Sequence, residues 1–174
     1  IARYLTEARK AAPITSTLQL ADLVEKAVGG RNGARIHPAT RTFQALRILV
    51  NDELGEICRG LSGAESRLKA GGRLAVVTFH SLEDRLVKTF LKERAQAKPQ
   101  GSRYRPASEE DFSARFTLIN RKPIEPGPAE TAANPRARSA RLRAAVRTET
   151  PALAPFDPRP LAPQAMAEFA RLAD

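Results

Sequence analysis

Three clusters hold most of the chemistry this chain could do. The densest is Thr78-Phe79-His80-Ser81-Leu82-Glu83-Asp84-Arg85. An imidazole changes its protonation near neutral pH, so His80 suits proton transfer or a hydrogen bond to a substrate. Glu83 and Asp84 can accept protons or bind an amine. The same residues also read as a helix start. Ser81 followed by Asp84 three positions on resembles a cap, and carboxylates in a first turn complement the helix dipole. The second cluster is Asn134-Pro135-Arg136-Ala137-Arg138-Ser139-Ala140-Arg141-Leu142-Arg143, which with Arg147 sets five arginines in twelve residues with no acid among them. Guanidinium forks match phosphate oxygens, and the small residues between them leave room for a nucleic-acid backbone. A solvated basic face is the plainer alternative. The third cluster is His37, Arg41 and Thr42. There His37 either meets a substrate or simply precedes the helix-starting Pro38.

Other chemistries are thinly supplied. There are two histidines and one cysteine, Cys58, which excludes a histidine-rich or multi-cysteine metal site and a disulfide framework. A mixed histidine and carboxylate site stays open, although no ligand spacing supports one, and no metal is expected. Stacking on bases has little to work with, because Trp is absent and only two Tyr occur. Tyr104, between Arg103 and Arg105, is the one candidate platform. Gly29-Gly30-Arg31-Asn32-Gly33 has the composition of a phosphate loop but follows no strand, so it reads as a flexible turn.

The positioning elements follow from periodicity. Ile1, Leu5 and Ala8 share a helical face that Pro13 ends. Ser16 with Gln19 forms a capping-box pattern ahead of the stripe Leu20, Leu23, Val24 and Val28. A long helix is expected from His37-Pro38 to about Ala70, with Arg35, Arg41 and Arg47 near its start. Its apolar positions are Phe43, Leu46, Val50, Leu54, Ile57 and Leu61, with a kink around residues 60–63. Gly71-Gly72 turns the chain into Arg73-Leu74-Ala75-Val76-Val77-Thr78-Phe79, a strand apolar enough to be covered on both faces. A helix from Ser81 to about Arg94 turns Leu82, Leu86, Val87, Phe90 and Leu91 inward. Helix, turn, buried strand, helix is the rhythm of a doubly wound parallel α/β sheet, with ligands at the carboxyl ends of its strands. A mobile loop over 95–111, strands over 112–119 and 140–147, and an irregular stretch rich in Pro and Arg between them complete the pattern. Five prolines between Pro151 and Pro163 suggest an extended linker, and 164–173 a short amphipathic helix.

Composition narrows the partner. The 174 residues carry 29 Lys and Arg against 19 Asp and Glu, a net charge of +10 that favours a polyanion. The longest strongly apolar run, Leu74-Ala75-Val76-Val77, falls far short of the roughly 18 residues of a membrane span. No secretory signal is visible, so a cytoplasmic location is the default. The first residue is Ile1, already within a helical pattern, so a cut from a longer protein is expected.

Three segments together resemble one family, the bacterial methyltransferase H of small-subunit ribosomal RNA, also called the MraW family. They are Arg35-Ile36-His37-Pro38-Ala39-Thr40-Arg41-Thr42-Phe43-Gln44-Ala45-Leu46-Arg47-Ile48, then Gly71-Gly72-Arg73-Leu74-Ala75-Val76 running into Phe79-His80-Ser81-Leu82-Glu83-Asp84-Arg85, then Asn134-Pro135-Arg136-Ala137-Arg138-Ser139. The resemblance covers roughly residues 1–148. It implies a class I, Rossmann-like methyltransferase with a small all-helical inserted domain. Residues 1–51 would form that insertion, 52–148 the C-terminal half of the catalytic sheet, and 149–174 a Pro-rich tail outside the resemblance. The implied reaction moves a methyl group from S-adenosylmethionine to N4 of a cytidine in 16S rRNA at the decoding centre.

By that resemblance His80, Ser81 and Glu83 are the expected catalytic residues on the target-base side. Arg41, Arg136, Arg138, Arg141 and Arg143 would contact RNA, with His37, Thr42, Asp84, Asn134 and Ser139 shaping the substrate side. The cofactor's main contacts lie on the family's first strands, before the insertion, and none is expected in this chain. Asn134-Pro135 is followed by Arg136, so it departs from the Asn/Asp/Ser-Pro-Pro-aromatic motif of many amino-methyltransferases. Expected partners are 16S rRNA or the small ribosomal subunit, with no membrane and with a homodimer left open. The competing reading is a non-enzymatic RNA-binding fragment without a cofactor site. A membrane-surface role is weaker, because no long basic amphipathic helix is present.

Overall fold

A computed structural model of the chain describes residues 1–31, 33–95 and 113–156. The chain divides into two compact units, Ile1–Glu53 and Leu54–Asp174.

The first unit is helical. Helix α1 spans Ala2–Ala11 and α2 spans Thr17–Ala27. The expected capping box forms: Ser16 Oγ accepts from the Gln19 amide, and the Gln19 side chain accepts from the Ser16 amide. Helix α3 covers Thr40–Val50 and α4, in the second unit but for its first residue, covers Glu53–Arg67. The single long helix expected here is therefore two. The break falls at Asn51-Asp52, and no kink is needed near Gly60. Asp52 takes φ +48°, a left-handed conformation that Asp tolerates better than most residues.

The second unit contains a three-stranded sheet with a helix packed on one face. Gly71, at φ +80°, turns the chain after α4. A Cβ on Gly72 would sit 2.8 Å from the Lys69 carbonyl, so the turn is tight enough to require glycine there. Strand β1 is Arg73–Thr78, helix α5 is Ser81–Ala95, β2 is Phe116–Leu118 and β3 is Arg141–Arg147. The order is β1-β3-β2, and β3 is antiparallel to both neighbours. The parallel sheet expected from the sequence is corrected here. β1 and β2 do run in one direction, but β3 returns between them, and its ladder is antiparallel on each side.

The two faces of this sheet differ. Helix α5 packs on the face that bears Arg143, Ala145, Arg147, Phe116 and Thr78, all buried. Phe90 of α5 stacks tilted on Phe116 and edge-on to Phe156, with centroids 5.9 and 5.4 Å apart. The opposite face carries Val77, Ile119 and Ile124, each more than half exposed. Alternation along β1 thus overturns the expectation of a strand covered on both faces.

The stretch between β2 and β3, expected to be irregular, contains helix α6 at Pro128–Ala133 and a 3-10 helix at Pro135–Ser139. Proline at the first helical position, with Glu130 in the first turn of α6, favours such starts. Residues 151–156 also differ from the extended linker expected. Arg94 Nη2 donates to the Ala154 carbonyl at 2.9 Å and the Leu153 amide to Glu65 Oε1 at 3.1 Å. The Phe156 amide donates to Ser62 Oγ at 2.9 Å, and the Phe156 ring is buried. The expected loop beyond Ala95, Tyr104 and the helix over 164–173 lie outside the described residues.

Candidate nucleic-acid interface

The turn from β1 into α5 sets the first cluster. His80 precedes the helix, and its carbonyl accepts the Asp84 amide, the first bond of the helical ladder. His80 Nδ1 accepts from the Glu83 amide at 3.3 Å. Glu83 Oε2 in return accepts from the amides of Phe79 and His80, at 2.7 and 3.1 Å. This is a reciprocal cap with histidine in the place usually held by serine or threonine. The expected cap of Ser81 with Asp84 is replaced by His80 with Glu83. An accepting Nδ1 places the neutral ring's proton on Nε2, which lies 3.3 Å from Glu83 Oε1. Ser81 is exposed at the helix start.

Asp84, freed from capping, turns into the sheet. Its Oδ1 accepts from Arg143 Nε at 2.7 Å, and its Oδ2 from Arg143 Nη2 and Arg141 Nη1, each at 3.1 Å. The Arg143 hydrogen bonds hold its carboxyl below the ordinary aspartate value. Burial opposes that, and Arg141 adds to the lowering. Thr78 Oγ1 reaches the Arg141 carbonyl at 3.4 Å, a second tie between the end of β1 and the start of β3.

These bonds divide the arginine run by burial. Arg143 is buried with its fork engaged by Asp84, so its expected phosphate contact is corrected to a structural role. Arg147 is also buried, donating to the carbonyls of Glu65, Arg115 and Thr148 and lying over Phe116. Both point inward because alternate residues of a strand share a face. Arg136 and Arg138, on the 3-10 helix, are exposed. Asn134 starts that helix, its Oδ1 accepting the Arg136 amide at 3.1 Å, and Ser139 ends it exposed. Arg141 lies between the two situations, with its side chain 42% exposed.

The third cluster belongs to the first unit. His37 Nδ1 accepts from the Ala39 amide at 3.1 Å, and Nε2 lies 3.0 Å from Glu25 Oε2. His37 therefore joins α2 to the start of α3. Arg41 is exposed and Thr42 half-buried on the first turn of α3.

Two groups escaped the sequence reading. Glu65 and Arg94 form a buried pair at 2.9 Å. Their signal is present: Glu65 continues the buried stripe Leu54, Cys58, Leu61, and Arg94 the stripe Val87, Phe90, Leu91. A charge at an apolar helical position implies a buried partner. The other is Glu125, 3.5 Å from Arg141 Nε. It is brought there by the Ile124–Leu142 bridge, which no local pattern announces.

Fold and site together define an α/β protein in which an exposed arginine-bearing 3-10 helix leads into a strand tied through two arginines to Asp84 of α5. The chain belongs to the MraW methylase family, whose profile matches residues 1–148. It is 58% identical over 151 residues to the ribosomal RNA small subunit methyltransferase H of Caulobacter vibrioides (strain NA1000 / CB15N), covering 87% of this chain and 49% of that protein. The protein of the same name from Hyphomonas neptunium is 59% identical over 152 residues, covering 87% and 44%. That from Methylorubrum populi is 56% identical over 156 residues, covering 90% and 44%. The chain thus spans about half the length of the curated relatives it matches. No helix among the described residues is long and apolar enough to cross a membrane.

A methyltransferase family implies S-adenosylmethionine. The described residues do not fit a cradle for it. β1 leads into α5 through a turn whose amides at Phe79 and His80 are already taken by Glu83. No glycine lies in that turn to let a cofactor approach the backbone.

Proposed function

We propose that this chain forms the RNA-facing part of an S-adenosylmethionine-dependent methyltransferase that acts on N4 of a cytidine in 16S rRNA at the decoding centre. The observation that carries the reading is the exposed pair Arg136 and Arg138 on a 3-10 helix that leads within two residues into β3, whose Arg141 and Arg143 are tied to Asp84 in the first turn of α5. An exposed arginine pair at the entry to a strand so anchored suits contact with a phosphate backbone. His80, Ser81 and Glu83 would face the base, and Arg41 would add a further phosphate contact. The exocyclic amine of cytosine is a weak nucleophile, so placing it and accepting its hydrogen bonds is the contribution such residues can make. The target base must leave its stack or already be single-stranded. The cofactor's contacts would come from residues other than those described here.

Replacing both Arg136 and Arg138 by Gln in the full-length protein should weaken binding to single-stranded RNA. It should also flatten the dependence of log K on log salt by about 1.4, at about 0.7 for each phosphate no longer neutralised. An unchanged slope in a fluorescence anisotropy titration would remove the phosphate role. The second reading, RNA binding without catalysis, is favoured by the occupied amides of the β1–α5 turn. Calorimetry with S-adenosylmethionine separates the two. Binding by the full-length protein, together with methyl transfer to 16S rRNA, supports the enzyme. RNA binding with neither supports the alternative.

A further inference from the structure

Arg141 is held differently from every other arginine in its run. On its inner side Nη1 donates to the buried Asp84 at 3.1 Å. On its outer side Nε lies 3.5 Å from Glu125, whose side chain is 62% exposed. Asp84 is itself fixed by the two-pronged contact with Arg143, so the inner grip is rigid. Glu125 is delivered by a reciprocal backbone bridge, Ile124 to Leu142, with both bonds 2.9 Å. It stands immediately before Pro126, which restricts it to extended conformations. A carboxylate so placed presents oxygens to the outward edge of the guanidinium, where a phosphate oxygen could equally bind. The 3-10 helix carrying the exposed Arg136 and Arg138 ends at Ser139, two residues before Arg141.

We propose that Arg141 is a phosphate-binding arginine of the RNA surface, positioned by Asp84, and that Glu125 occupies its outward side until an RNA phosphate displaces it. The exposed acid then acts as an internal competitor. It tunes affinity and holds the guanidinium in its binding orientation while no RNA is present. An exposed ion pair at 3.5 Å contributes little to stability, so giving it up for a phosphate costs little. The proposal rests on the reading that this surface binds RNA.

The test is a double-mutant cycle in the full-length protein, with a labelled mixed-sequence single-stranded oligoribonucleotide titrated by anisotropy across a salt series. Glu125→Gln should bind about fivefold more tightly at low salt, the effect expected of removing one charge near ~4 Å from the phosphate in water. Arg141→Gln should weaken binding and reduce the salt slope by about 0.7. In the Arg141→Gln background, Glu125→Gln should bring no gain, because the competitor has nothing left to compete for. A gain that persists in that background would reduce Glu125 to a distant surface charge and overturn the proposal. So would no gain in the wild-type background. Displacement of RNA by inorganic phosphate beyond that by chloride at matched ionic strength would mark a free-anion pocket and overturn the backbone assignment. Loss of slope in the Arg136 and Arg138 variant with no effect of Glu125→Gln would leave RNA binding standing and remove this inference alone. Absence of RNA binding in the wild type would remove both.

Discussion

At the residue scale, His80 does two separable things. As a cap its Nδ1 satisfies the Glu83 amide, and losing a cap costs about 1 kcal/mol. His80→Ala should therefore lower the urea midpoint, and His80→Asn, with a good capping side chain, should restore it. Under the methyltransferase activity proposed above, a second role for His80 predicts that His80→Asn stays poor in turnover of the full-length protein at near-normal RNA affinity. Full turnover in that variant would leave the cap as its whole role. Asp84 is the other decisive side chain. Removing one partner of a buried ion cluster costs about 3 kcal/mol, so Asp84→Asn should be strongly destabilised at neutral pH. Its native pKa lies below the ordinary value of 3.8, so its contribution is complete above that value and is lost as pH falls through the lowered one. The stability gap between wild type and Asp84→Asn in urea titrations should thus shrink only in acid, below about pH 4. A gap that narrowed on going from neutral pH to mild acid would contradict this. The types and crowding of these residues were legible in the sequence. Their partition was not: which arginines turn inward depends on which face of the sheet α5 covers, a choice no local pattern makes.

At the element scale, short-range signals performed well. The Ser16 and Gln19 box, α5, β1 and β3 all follow from local periodicity and capping, because those interactions close within a few residues. The failures differ in kind: the helix break is fastened locally, with Glu53 accepting from Arg47 and Asn51, whereas the tail is placed by distant partners. The break at Asn51-Asp52 interrupts an apolar repeat that runs on unbroken in the sequence. The docking of residues 151–156 requires Glu65, Arg94 and Ser62, all far upstream. That segment follows the 148 residues matched by the family profile, yet its ring completes the cluster around Phe90. Phe156→Ala should cost about 3 kcal/mol in urea unfolding, as deletion of a buried aromatic does. A cost below about 1 kcal/mol would show that the segment merely rests on α4 and α5.

At the scale of the whole molecule, the net charge of +10 and the exposed arginines favour a polyanion. The sheet adds a second property that composition could not show. Val77, Ile119 and Ile124 lie on one uncovered face, and β1 pairs on one side only among the described residues. Such surfaces bind apolar dyes and favour self-association. The 174-residue chain alone should bind a naphthalene-sulfonate dye, and a Val77→Lys, Ile119→Lys double variant should bind less without loss of helix content. Equal dye binding in both would place the exposed apolar surface elsewhere.

The Asp84–Arg143 pairing spans 59 residues of chain. Closing a loop of that length has an entropic cost that is met only once β3 has found its place between its neighbours. During synthesis the His80 turn leaves the ribosome well before the arginines that brace it. The Asp84 anchor is therefore completed late, after β3 has emerged, and a nascent chain paused ahead of Arg143 would display Asp84 without that partner.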